Sequence, residues 1–329
     1  MIIMQNTPKK TVQCDSFESI NIGYDAVFKP GKLSIGLVVP IETYSSSPVP
    51  EMSRHIERVQ LAESLNFAAV WLRDVPFNVP SFGDAGQLFD PFVYLGALSM
   101  RTTSIALGVA SIILPLRHPA HVAKAAASAD VLSNGRLILG IASGDRPEEY
   151  PALNLPFENR GSLFQESYDY IRHMGESSPR FRNAFGRVDG GIDMLPKPTA
   201  GKIPLLVTGL SQQSSDWVAA NADGWMTYPR PAGSQSILIE EYRARLEATG
   251  KSNKPVMEPL YIDLAADPDA PPKSIHLGLQ LGVNPLREYL ESRRVIGVNH
   301  VALNLRFNAG NTEATLATLA EQIIPEFSK

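Results

Sequence analysis

Hydrophobic positions along this chain fall into two alternating patterns. Short, near-continuous apolar runs begin at residues 32 ("KLSIGLVVP"), 67 ("FAAVWLRDV"), 104 ("SIALGVASIIL") and 136 ("RLILGIAS"). Four more follow at 203 ("IPLLVTG"), 223 ("DGWMTYP"), 255 ("PVMEPLYIDLA") and 298 ("VNHVALNL"). Continuous apolar runs bounded by turn residues read as strands buried on both faces. Between them the apolar residues recur every three or four positions. Met52, Ile56, Val59, Ala62 and Leu65 form such a stripe, with Asn66 as its left-handed terminator. Pro91 and Pro119 open two further helices, and Gly135 in "SNGR" closes the second. The same spacing predicts helices near 160–174, 212–221, 234–248, 284–294 and onward to about 327.

Eight strand-helix pairs in one chain predict an α/β fold of the (β/α)8 TIM barrel type with loop insertions, because an open doubly wound sheet usually stops sooner. The insertions are 76–90, 177–203 and 266–283. The expected organisation is an N-terminal extension, 1–32, and a single barrel domain, 33–329. In a barrel the chemistry sits where the strands end. Those ends are Val39–Pro40, Arg73–Asp74, Ala110–Ser111, Ala142 to Asp145, Thr208 to Ser211, Met226 to Tyr228, Asp263, and Asn304 to Arg306.

Composition narrows the function. At 329 residues, 44% hydrophobic and 19% charged, the chain is an ordinary globular one. A net charge of −4 without a basic run argues against a nucleic-acid partner. The single cysteine, Cys14, cannot form an internal disulfide, and no run reaches the roughly 18 apolar residues of a membrane span. No signal-peptide core opens the chain, so a cytoplasmic protein is expected. The six histidines are scattered, which predicts no metal site. There is neither a nucleophile elbow nor a P-loop, and "GIASGD" lacks the rest of a dinucleotide fingerprint. A bound cofactor is the simplest remaining source of chemistry.

The segments "FAAVWLRD", "ALGVASIILPLRHPAHVAKAAASADVLSNGRLILGIASGD", "ENRG" and "IPLLVTGLSQQSSDWVAANADGW" together resemble the bacterial-luciferase-like, flavin-dependent monooxygenases, over about residues 33 to 230. The resemblance implies a barrel that binds reduced FMN, or in some branches the deazaflavin F420, at its C-terminal face, and a homodimer. It implies a non-prolyl cis peptide between Ala110 and Ser111, where small side chains let the backbone approach the cofactor ring. It also places Ser143, Arg160, Gly209, Ser211 and Ser214 about the cofactor and its phosphate. On their own, Ser211 and Ser214 read first as helix caps and Arg160 as a surface ion pair, and the resemblance reverses that order.

Two departures stand out. Val75 occupies the place of a histidine that the luciferases use in their light-emitting reaction, and Ser143 replaces a phosphate-holding arginine, with Arg146 three residues on as a substitute. Asp74, His118 and Arg146 are the candidates for polar work. Asp74 reads equally as a loop cap, whereas His118 reads first as a structural hydrogen-bonding residue at a helix start. The function expected from the resemblance is oxygen insertion into a small organic substrate, with a separate flavin reductase as partner. F420-dependent hydride transfer and non-catalytic flavin binding are the alternatives.

Overall fold

Each apolar run pairs in parallel with its neighbours in sequence, and the last pairs with the first. The strands are β1 (Ser34–Val38), β2 (Ala69–Leu72), β3 (Ala106–Ile113), β4 (Leu137–Ala142), β5 (Leu205–Thr208), β6 (Gly224–Met226), β7 (Val256–Leu264) and β8 (His300–Asn304). Closure is explicit in the register: β8 pairs with β1 through Ser34 and His300, and β6 pairs with β7 through Trp225 and Val256. The computed structural model describes residues 16–327. Cys14 lies outside the described residues. Among the described residues no helix is long and apolar enough to cross a membrane.

A helix follows every strand: α1 (His55–Ser64), α2 (Pro91–Ser99), α3 (Pro119–Leu132), α4 (Arg160–Met174), α5 (Ser215–Asn221), α6 (Ala232–Ala248), α7 (Val283–Val295) and α8 (Thr312–Gln322). Their ends follow local chemistry. Pro91 and Pro119 are the first residues of α2 and α3, where a missing N–H costs nothing. Asp90 accepts hydrogen bonds from the amides of Phe92 and Val93, and Asn311 accepts one from Ala314. Asn66 and the Asn134–Gly135 pair take the positive φ that ends α1 and α3.

The core has two layers. Between strands and helices lies a continuous shell that includes Leu37, Val70, Leu107, Leu139, Val207 and Leu303. Inside the barrel Val38, Ala69, Trp71, Ala106, Ile138, Leu206, Met226, Met257 and Ala302 pack together. Trp71 is fully buried there, and its indole N–H donates to His300 Nε2 at 2.8 Å. Gly108 makes room for the indole, because a Cβ at that position would lie 2.2 Å from Trp71 Cε3.

Residues of the N-terminal extension close the barrel floor. A short helix, Ile22–Val27, buries Tyr24 and Val27 against the inner cluster, with Ile20 and Phe28 beside them. Asn21 donates to Asp130 and to the Leu137 carbonyl, and the Tyr24 hydroxyl donates to the Asp223 carbonyl. With the N-terminal ends plugged, the strand C-termini are the end of the barrel left for a site.

Two of the insertions contain strands that hydrophobic patterning did not indicate. In 177–203 an antiparallel hairpin joins Arg180–Asn183 to Gly186–Asp189. In 266–283, Lys273–Ile275 pairs with Gly278–Leu281, and the latter adds in parallel to β7. Both hairpins are short and largely polar, so no run of apolar residues marks them.

Candidate active site at the barrel mouth

On β3, Ala110 and Ser111 are the two residues that are only half-buried, and the peptide between them is cis. Just there the pairing with β4 slips by one residue: Val109 faces Leu139, but Ile112 faces Ile141. The bulge turns the Ala110–Ser111 segment toward the mouth. Gly140 on β4 permits it, since a Cβ would sit 2.3 Å from the Val109 carbonyl oxygen and 3.0 Å from Ser111 Oγ. Ser111 Oγ is hydrogen-bonded to Thr208 Oγ1 at the end of β5, and Met226 Sδ lies 3.3 Å from that threonine oxygen. Three strand ends thus meet around the cis bond.

The residues expected to hold a phosphate gather on the same side. Arg160 is the first residue of α4; its guanidinium lies 3.8 Å from the Phe157 ring centroid, and Nη1 donates to the Phe157 carbonyl. Its Nε is buried without a hydrogen-bond partner. Phe157 packs edge-on against Tyr150, whose hydroxyl donates to the Ser143 carbonyl. Gly161 touches Gln212, and Gln213 donates to the Gly161 carbonyl at 2.8 Å, so α4 begins against the loop after β5. In that loop Gly209, Ser211 and Gln212 have positive φ. Ser211 Oγ donates to the Thr208 carbonyl, which commits its proton. Ser214 Oγ caps α5 by accepting from Trp217 N at 3.1 Å, which uses a lone pair and leaves the hydroxyl proton to donate.

The three candidates for catalysis have different surroundings. Asp74 is buried and accepts from Ile113 N at 3.0 Å and from Arg117 Nε and Nη2 at 3.0 and 2.7 Å. It ties the end of β2 to the end of β3. Arg117 also bonds Asp90, the cap of α2. His118 is exposed and caps α3 through Nδ1, with Tyr170 and Phe185 of the outer layer beside its ring. Arg146 is buried, 3.9 Å from the Phe82 ring centroid and 3.6 Å from Glu149, beyond hydrogen-bond range. Burial lifts the Glu149 carboxyl to about 6 despite that arginine.

The other half of the mouth, where β1, β2, β7 and β8 end, carries a cluster that the sequence reading did not single out. Arg73 Nη1 and Arg306 Nη1 both reach Asp84 Oδ2, at 2.6 and 3.0 Å. Arg73 and Arg306 stood among the strand-end residues, but Asp84 comes from the loop 76–90, and only the folded register joins the three. Burial opposes ionisation of Asp84, and the two arginines outweigh it, holding the carboxyl below its usual range. Thr208 was likewise visible as a strand end without a sign that it faces Ser111.

Comparison with known proteins agrees with this architecture. The luciferase-like monooxygenase family matches residues 33–270. The F420-dependent hydroxymycolic acid dehydrogenase of Mycobacterium tuberculosis is 26% identical over 228 residues, 68% of this chain and 60% of that protein. The alkanal monooxygenase beta chain of Photorhabdus luminescens is 31% identical over 129 residues, 39% of this chain and 38% of that one. The chain spans 56 to 59% of the length of the uncharacterised mycobacterial relatives it matches. Among solved structures, the monooxygenase RslO1 from Streptomyces bottropensis superposes with a TM-score of 0.74 at 19% identity, covering 89% of this chain and 99% of its own. A closed barrel opening at its strand C-termini and a family match across most of its length lead to one assignment: this chain belongs to the luciferase-like monooxygenase family of oxidoreductases.

Proposed function

We propose that the protein is a flavin-dependent monooxygenase that uses reduced FMN and dioxygen to oxidise a small organic substrate. The observation that carries this reading is the half-buried Ala110–Ser111 segment at the end of β3, with the buried, unpartnered Nε of Arg160 on a helix that begins against the loop after β5. The donor set suits a planar ring with an anionic tail. Ala110, Ser111 and Gly209 would line the ring, while Ser143, Arg160, Ser211 and Ser214 would hold the phosphate. Ser211 must turn its proton away from the Thr208 carbonyl to take part, whereas Ser214 can donate while still capping α5.

Bound reduced flavin supplies the electrons and the oxygen chemistry. The chain's own residues bind, orient and exclude water. The hydroxyl pair Ser111–Thr208 fixes the cis segment against β5, and Asp74 anchors β3 two residues further on, at Ile113 N. Buried Tyr150, packed on Phe157, closes the tail side from solvent. A separate flavin reductase as electron source and a homodimeric assembly belong to the same proposal. The longer match to an F420-dependent dehydrogenase favours F420 hydride transfer as the second reading.

Titration of the purified protein with reduced and oxidised FMN, riboflavin and F420 tests both. FMN is expected to bind more tightly than riboflavin. Arg160→Gln should weaken FMN by roughly 10- to 100-fold, the worth of a charge-assisted hydrogen bond, and leave riboflavin unchanged. Tight F420 binding without FMN binding transfers the proposal to hydride transfer. Dissociation constants above about 1 mM for every flavin remove both readings.

A further inference from the structure

In the half of the mouth away from the proposed phosphate site two arginines share one carboxylate, while the other buried acids at or just past these strand ends take other donors: Asp263 from Gln280 and Ala309 N, Asp74 from Arg117, and Glu42 from Glu51 N. Arg73 and Arg306 converge on a single carboxylate oxygen, Asp84 Oδ2. Arg306 is only 8% exposed; its Nη2 donates to the Gly83 carbonyl, and its Nε is buried without a hydrogen-bond partner. Two guanidiniums bonded to the same carboxylate oxygen share a single negative charge, so Asp84 compensates only one of the two. Rings surround the pair. The Arg306 guanidinium lies 5.0 Å from the Tyr44 centroid and 5.1 Å from that of Phe307, and Tyr261 packs against Phe307 at 5.4 Å. Asp84 itself is delivered by the inserted loop 76–90, held in shape by its own bond from Gly86 N at 2.8 Å.

We infer that Arg73 and Arg306 are the receptor for a carboxylate on the substrate, with the neighbouring rings taking its apolar or aromatic body and Asp84 holding the carboxylate's place until it arrives. This assigns the substrate class for the site and rests on the reading that the cofactor occupies the β3–β5 half of the mouth. A guanidinium pair suits a carboxylate because each offers several N–H donors in one plane. The loop that carries Asp84 would then leave the arginines as the substrate enters, coupling entry to movement of residues 76–90.

Benzoate and its uncharged counterpart benzamide serve as probes, titrated calorimetrically at low salt into the wild-type protein with and without FMN. Benzoate is expected to bind at least 10-fold more tightly than benzamide. Arg306→Gln and Arg73→Gln should each remove at least 10-fold of the benzoate affinity. Asp84→Asn should strengthen benzoate binding at least 5-fold, because it removes the competing carboxylate; a merely structural Asp84 would give the opposite sign. Equal affinities for the two probes, or an Asp84→Asn protein that binds benzoate no better than wild type, overturns the inference. The wild-type comparison stands even where an arginine variant fails to fold. FMN titration of the same samples separates the two claims: lost discrimination with FMN binding intact sinks only the carboxylate site, and discrimination without FMN binding sinks only the cofactor reading.

Discussion

The contribution of one residue, His300, to folding stability is expected to fall by roughly 2 kcal/mol between pH 6.5 and pH 4.5, and by roughly 4 kcal/mol by pH 3. The residue sits inside the barrel with no exposed surface, and burial depresses its pKa from 6.5 to about 3. Its neighbours agree with a neutral ring. Trp71 Nε1 can only donate, so His300 Nε2 must accept, and the proton therefore sits on Nδ1, 2.6 Å from Ser34 Oγ. Ser34 in turn donates to the Val27 carbonyl. A second ring proton would set N–H against N–H at Trp71.

Because the unfolded chain binds a proton near pH 6.5 and the folded one near 3, the stabilisation is complete above 6.5 and is lost progressively below it. Two buried acids act in the opposite sense. Burial raises Glu258 to about 7 and Glu149 to about 6, so each adds stability as the pH falls from those values toward the ordinary carboxylate range. The wild-type curve is therefore flattened, and the difference from His300→Gln isolates the histidine. Glutamine can keep an acceptor for Trp71 and a donor for Ser34 without titrating. In urea unfolding from pH 8 to 4.5, the advantage of wild type over the variant should shrink steadily below 6.5; a constant gap would show that His300 does not carry the effect.

The distinction between residues that the sequence reveals and those it conceals is visible at this same spot. Runs such as "FAAVWLRDV" announce strands because burial on both faces demands continuous apolar side chains, and eight of them with helices between imply closure. The cis Ala110–Ser111 bond was legible through family resemblance and the small residues it needs. Which side chains meet across the barrel was not legible. Trp71 and His300 are 229 positions apart, and Arg306 and the Gly83 carbonyl are 223 apart, so nothing local marks either contact. Asp84 lies in a loop whose Pro and Gly content predicts a turn but no destination. Asp74 was visible as a strand-end acid, whereas its partner Arg117 follows β3 and meets it only because β2 and β3 are adjacent.

Asp74→Ala is therefore expected to cost about 3 to 5 kcal/mol of folding stability, the usual loss when one member of a buried ion pair is removed. The Asp74 side chain is 1% exposed and its partner Arg117 23% exposed, so the stranded guanidinium would keep only Asp90. The Ile113 amide would lose its acceptor as well. Asp74→Asn should cost less, because an amide oxygen can still accept from Ile113 N or from Arg117, though without charge. Both losses are read from denaturant unfolding, alongside FMN affinity. A buried carboxylate at the end of a barrel strand can serve the scaffold or the chemistry. Three of the four acceptor sites of Asp74 are taken by donors of the scaffold, two on Oδ2 and one on Oδ1, which favours the scaffold role. Weakened FMN binding in proportion to lost stability follows if Asp74 positions the Ala110–Ser111 segment through β3. Variants that unfold like wild type and bind FMN normally, yet fail to turn over, would move Asp74 from the scaffold into the chemistry.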